Sequence, residues 1–218
     1  MALLFYGHPF SSYCHKALIS LYENGTPFTF RLLDGQDAEA AETFGALWPI
    51  RRFPLLVDGD RSIAEATIII EHLDIHHPGP ARMIPVDPAA ALEARFLDRF
   101  FDNYIHAQVQ KIVADSLRAG DSHDPVGVAD AHAMLDTAFA WLDRHMEARE
   151  WAAGAFGLAD CAAAPSLFYA DWVHPIGEAF PNVRAYRQRL NARPSFARAI
   201  EDARPYRRLF PPGAPDQD

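Results

Sequence analysis

The sequence predicts an α/β amino-terminal half followed by an all-helical carboxyl-terminal half, and three observations carry that reading. Up to about Pro78, short apolar strands alternate with helix-like stretches, the pattern of a βαβ unit followed by more sheet. His77-Pro78-Gly79-Pro80 then interrupts any helix. Beyond this stretch the apolar residues recur only at long helical periods, with no strand signal. The predicted division is a first domain over 1–78, a linker over 79–88, a helical domain over 89–210 and a flexible tail over 211–218, where Pro and Gly accumulate.

Leu3 to Tyr6 reads as the first strand, and Gly7-His8-Pro9-Phe10 turns the chain. Ser11 or Ser12 then stands at the N-cap of a helix whose Ala17, Leu18, Leu21 and Tyr22 fall at helical spacing, and Asn24-Gly25 stops it. Phe28 to Leu32 alternates as a second strand. Leu55-Leu56-Val57 enters a tight turn at Asp58-Gly59-Asp60, and Ser62-Ile63 returns from it. Ile68, Ile69 and Leu73 give the next helix an apolar face. In the second half, Leu92, Phe96, Phe100, Tyr104 and Ile112 predict the stripe of one long helix ending near Gly120, and Leu135, Phe139, Leu142 and Met146 that of the next. Asp160 to Tyr169 is small and apolar nearly all round, as suits a helix buried inside a bundle.

Bulk composition narrows the function classes. Of the 218 residues 50% are hydrophobic, enough for one or two compact domains. The 20 Lys+Arg against 29 Asp+Glu give 20 − 29 = −9, which repels phosphate backbones and anionic membrane surfaces. Nucleic acid and membrane partners are therefore not expected. The apolar run after Met1 is too short for a signal sequence and no stretch approaches a membrane span, so a cytoplasmic protein is expected. Two cysteines, Cys14 and Cys161, do not make a disulfide framework.

Three segments hold residues capable of chemistry. Ser11-Ser12-Tyr13-Cys14 opens the first helix, where unpaired N–H groups and the macrodipole favour a thiolate and a hydroxyl can donate to it. Taken alone, serine at a helix start reads first as a cap. Arg51-Arg52-Phe53-Pro54 precedes the short apolar strand; a proline at a strand start leaves backbone that an extended peptide can pair with. Base rates for the X–Pro bond there favour trans. Glu65 and Ala66 begin the helix after the hairpin, where an acid can grip a ligand's amino group while free N–H groups take its carboxylate, or can simply complement the dipole.

Together these segments resemble the glutathione S-transferase family over nearly the whole chain. The resemblance implies a thioredoxin-like glutathione-binding domain followed by an all-α bundle. It puts Ser11 at the register of the active serine of the serine-type, zeta-like classes, with Ser12, Cys14 and Tyr6 as runners-up. Phe53-Pro54 resembles the family's cis-proline pair, Arg52 the residue that reaches the glycine end of glutathione, and Glu65-Ala66 the Glu-Ser that binds the γ-glutamyl group. The chain departs from the pattern at Ala66, which has no hydroxyl, and at Gly157, where the family's buried capping motif has Ser or Thr ahead of an acid such as Asp160.

The resemblance further implies a homodimer and glutathione as co-substrate, its thiol ionised for attack on a hydrophobic electrophile held against the helical half. Lowering a thiol pKa by roughly two units takes about 2.7 kcal/mol of differential stabilisation, within reach of a hydroxyl and helix N–H groups. Two other readings stay open: a scaffold protein of the same fold with little catalysis, and a Cys14 thiol transferase. No metal is expected, since His72 and His76 at i, i+4 suggest no third ligand. Tyr104, His106 and Arg118 read either as the lining of a cleft or as a solvated helix face, the latter preferred.

Overall fold

The computed structural model describes residues 3–216 and 218. Four strands, β1 (Leu3–Gly7), β2 (Phe28–Leu32), β3 (Leu55–Asp58) and β4 (Arg61–Ala64), form one sheet in the order β2-β1-β3-β4. β1 and β2 run parallel; β1–β3 and β3–β4 are antiparallel. Helices α1 (Ser12–Glu23), α2 (Ala38–Leu47) and α3 (Ala66–His76) complete this half. The helical half comprises α4 (Pro88–Phe100), a π-helical segment (Phe101–His106), α5 (Ala107–Ser116), α6 (Pro125–His145), α7 (Leu158–Val173), α8 (Pro181–Ala192) and α9 (Pro194–Ala203). The fold is thus the mixed-sheet domain followed by a helical bundle that the sequence predicted.

Sheet register explains why the three segments of interest meet. Tyr6 is paired with Leu55, and Leu55 with Ala64, so the end of β1, the start of β3 and the end of β4 lie in one row across the sheet. The chain leaves that row towards Ser11, enters it from Pro54 and leaves it again towards Glu65. Asp58, paired with Arg61, sits at the opposite end of the strands. A Cβ on Gly7 would come within 2.6 Å of the Cys14 Sγ, so glycine lets α1 fold back closely on β1.

Two elements differ from the sequence reading. The stretch between β2 and β3, to which the sequence reading assigned no element, contains α2, capped by Asp37, whose Oδ1 accepts the Ala40 N–H at 2.9 Å; Ala40 and Phe44 pack on Tyr6 and Leu55. The single long helix is divided by the π segment, and its predicted stripe faces outward at Leu92 (69% exposed), Phe96 (51%) and Tyr104 (48%). The buried face carries Ala94, Leu97, Asp98, Phe101 and Ile105 instead. Of the predicted stripe Phe100 is buried, and the rest of the buried face mixes Ala94 and a paired acid with Leu97, Phe101 and Ile105, which the stripe left out.

α7 is buried along nearly its whole length, with Cys161 to Leu167 inaccessible or almost so. Its amino end is held by Asp160, whose carboxylate accepts the N–H groups of Ala152 and Gly157, each at 3.0 Å, and the Tyr186 hydroxyl. Gly157 has its own reason: a Cβ there would lie 2.6 Å from the Met83 carbonyl oxygen, which accepts the Leu158 N–H. The serine or threonine of the resemblance does not fit this approach. No helix among the described residues is long and apolar enough to cross a membrane.

Candidate active site

A cavity of about 760 Å³ opens where the sheet row meets the helical half. Ser11, Arg52, Phe53, Pro54, Glu65 and Ala66 all line its first wall, together with Ser12. The structure thereby brings together every glutathione-contact residue expected from sequence. Of the runners-up, Cys14 and Tyr6 do not line it. Tyr6 is 4% exposed and stacks on Phe44, a core residue. Cys14 is inaccessible, and burial pushes its thiol up to about 12.

The two serines are in different situations. Ser11 is the N-cap of α1, and its Oγ accepts the Cys14 N–H at 3.3 Å, which leaves the hydroxyl proton for another acceptor. Among the described residues, the N–H groups of Ser12 and Tyr13 find no acceptor, as expected of a helix first turn. Ser12 is 8% exposed, and its Oγ lies 2.7 Å from the Nε2 of His106. His106 is buried, contrary to the solvated face preferred from sequence, and burial, aided by the Lys16 charge, lowers it to about 3. Its imidazole is therefore neutral near pH 7. Tyr104 and Arg118 are not part of the lining.

At the second contact point the Phe53-Pro54 peptide is cis, and sheet pairing of β3 begins only at Leu55. Phe53 and Pro54 thus precede the first sheet pair and line the cavity. At the third point, Glu65 holds φ 71 ahead of α3, a conformation costing a non-glycine residue about 1–3 kcal/mol. Its side chain makes no capping bond, so the exposed carboxylate stays available at the edge of the cavity.

The opposite wall was largely invisible in the sequence. Its polar part consists of Arg99, Asp102, Asn103, His106 and Gln110, with Tyr13 of α1 packed edge-on against His106. Burial, then the Asp102 carboxylate, raise the Tyr13 phenol to about 12, keeping it a donor. Asp102 belongs to a buried ionic cluster. Lys16 of α1 lies 2.6 Å from Asp98 and 2.7 Å from Asp102, and Arg99 joins both acids and Thr67 of α3. Two acids against two bases leave the cluster neutral while it ties α1 and α3 to α4. The apolar part is aromatic: Phe10 packs edge-on against Tyr169, whose ring stacks on Phe210.

Residues 5–81 match the family model described as glutathione S-transferase, N-terminal domain, and residues 125–189 the one described as glutathione S-transferase, C-terminal domain. A probable maleylacetoacetate isomerase of Vibrio cholerae is 27% identical over 220 residues, covering 94% of this chain and 98% of that protein. Glutathione S-transferase theta-1 of Homo sapiens is 27% identical over 214 residues, covering 88% and 83%. Among solved structures, a glutathione S-transferase of Methylobacterium radiotolerans in complex with glutathione sulfonate superposes with a TM-score of 0.79 at 27% identity, covering 92% of this chain and 95% of that one.

Proposed function

The chain belongs to the glutathione S-transferase family, and from that premise we propose that it is a glutathione transferase that activates the glutathione thiol for attack on an apolar electrophile. The observation that carries this reading is the convergence of Ser11, the cis Phe53-Pro54 edge and Glu65-Ala66 on one cavity. Glutathione would lie extended along Phe53, its cysteinyl backbone paired there, with Arg52 at the glycine carboxylate. Glu65 would take the γ-glutamyl ammonium, while the first-turn N–H groups of α3, Ala66 among them, take its carboxylate. This places the sulfur over the amino end of α1. There Ser11 donates to the thiolate, and the free N–H groups and dipole of α1 add to its stability. The aromatic wall of Phe10, Tyr169 and Phe210 receives the electrophile.

Residues 1–78 then serve as the glutathione half and 89–210 as the electrophile half, joined by 79–88; Pro211 of the tail also reaches the cavity. A Cys14 thiol transferase fits less well, because a buried thiol held at about 12 is a poor nucleophile near neutral pH. Calorimetry with glutathione, followed by turnover of a chromogenic electrophile, tests the proposal. Binding with turnover supports it; a folded chain that does neither returns the scaffold reading. In the same calorimetry, Ala66→Ser is expected to tighten glutathione by about 1 kcal/mol through a restored hydroxyl. Unchanged affinity would place the γ-glutamyl carboxylate elsewhere.

We further propose a homodimer. Leu92, Phe96 and Tyr104 are exposed along one side of α4 and the π segment, and Phe96 packs edge-on with Trp141 of α6, a patch suited to a symmetric interface. Light scattering at micromolar concentration is expected to give twice the 24.3 kDa of the chain. A monomer mass refutes the proposal.

A further inference from the structure

At the end of the strands opposite the cavity, three side chains from the β3–β4 hairpin and α3 converge. Asp58 ends β3, His72 lies on α3, and His77 is the C-cap residue of α3. The Nε2 atoms of His72 and His77 lie 2.9 and 2.7 Å from the same oxygen, Asp58 Oδ2, and the three ligand atoms are within 4.8 Å of one another. We propose that Asp58, His72 and His77 form a binding site for one divalent transition-metal ion of the Zn²⁺ type.

The donor set argues for that class of ion. Two imidazole nitrogens and one carboxylate oxygen suit zinc and its neighbours, whereas calcium and magnesium take oxygen ligands. Zinc binds nitrogen and oxygen at about 2.0–2.2 Å, so tetrahedral ligand atoms stand roughly 3.3–3.5 Å apart. The present separations need to open by about half an ångström. The ion would replace the two imidazole protons now shared with the carboxylate. His72 is 9% exposed, His77 31% and Asp58 23%, which leaves an entry path and a fourth position for water.

The third ligand was absent from the sequence reading because Asp58 precedes His72 by 14 residues and only the antiparallel hairpin returns it to α3. The helical spacing had also pointed to the wrong second histidine. The His76 ring lies 4.5 Å from that of His72, but its Nε2 faces the Arg61 guanidinium at 3.5 Å. An ion at this place would tie the β3–β4 turn to the end of α3, clamping the far ends of two elements whose near ends carry Pro54 and Glu65.

Two imidazoles hydrogen-bonded to a carboxylate can also be a purely structural contact, and titration with metal separates the two. The tag-free chain, stripped with a chelator, is titrated with Zn²⁺ by calorimetry, and its melting is followed with and without the ion. One equivalent per chain and a raised melting temperature are expected. Asp58→Asn and His77→Gln should each weaken binding at least tenfold and abolish the shift, while His76→Gln behaves as the parent. Circular dichroism confirms the fold of each variant, and because both altered residues are partly exposed, either one suffices if the other fails to fold. No zinc binding by the parent overturns the proposal. So does parental affinity in Asp58→Asn and His77→Gln, which would place the ion elsewhere, as at the paired His132 and His174 rings of the helical half.

Discussion

Ser11→Ala is expected to lower turnover at pH 7 by roughly ten- to a hundredfold with little change in glutathione affinity. The hydroxyl caps α1 through its oxygen and keeps its proton for a ligand, and the neighbouring hydroxyl of Ser12 is committed to His106. Without that donor the bound thiol is less stabilised as thiolate, so its pKa rises. Below the pKa each unit of rise removes about tenfold of the reactive form. Alanine also removes a helix cap worth about 1 kcal/mol, whereas glycine caps within a few tenths of serine. Ser11→Gly therefore separates the two roles: equal loss of turnover in both variants assigns the effect to the hydroxyl. The ultraviolet absorbance of bound thiolate against pH gives the direct measure. If Ser11→Ala titrates as the parent while Cys14→Ala shifts the curve, Ser11 is not the activating residue.

Asp160→Ala is expected to be the most damaging single change to stability, at about 3–5 kcal/mol in urea unfolding. Its side chain is inaccessible and accepts from Ala152, Gly157 and Tyr186. Burial raises the carboxyl pKa, and those three donors oppose the rise. Alanine leaves two backbone N–H groups and a fully buried phenol without partners, each costing about 1–3 kcal/mol if nothing rearranges. A domain of this kind has only about 5–15 kcal/mol to lose. Tyr186→Phe removes one donor and leaves the other two in place, so about 1 kcal/mol is expected. A loss below 1 kcal/mol for Asp160→Ala would mean that water or another side chain takes over the three donors.

Legibility in the sequence followed how local each feature is. β1, β2 and the β3–β4 hairpin declare themselves by alternation and turn residues, and Ser11, Pro54 and Glu65 stand at element boundaries that short patterns mark. α2 escaped because only Ala40 and Phe44 are buried on it, too few to mark a helical period, and it contains Gly45, a poor helix former. The outward stripe of α4 misled because its inward face interleaves Ala91 and Ala94 with Leu97, Phe100 and Asp98, the last a residue that reads as solvated until Lys16 is found beside it. The far wall of the cavity was beyond reach for the same reason: Asp102, Gln110 and Phe210 acquire their neighbours only through packing between elements distant in sequence.

The π segment between α4 and α5 holds a surplus residue within what is otherwise a single helix. Each residue of an α-helix advances about 100° around the axis, so removing one would turn everything downstream by that angle. α4 is phased to present Asp98 to Lys16, while α5 is phased to present Val109, Gln110 and Val113 to the cavity. A regular helix could not keep both. Deleting one residue between 101 and 106 would therefore swing Val109, Gln110 and Val113 off the cavity, bring in the side chains now a quarter-turn away and disturb the contacts of Asp102 with Lys16 and of His106 with Ser12, while Phe10, Tyr169 and Phe210 lie on other elements.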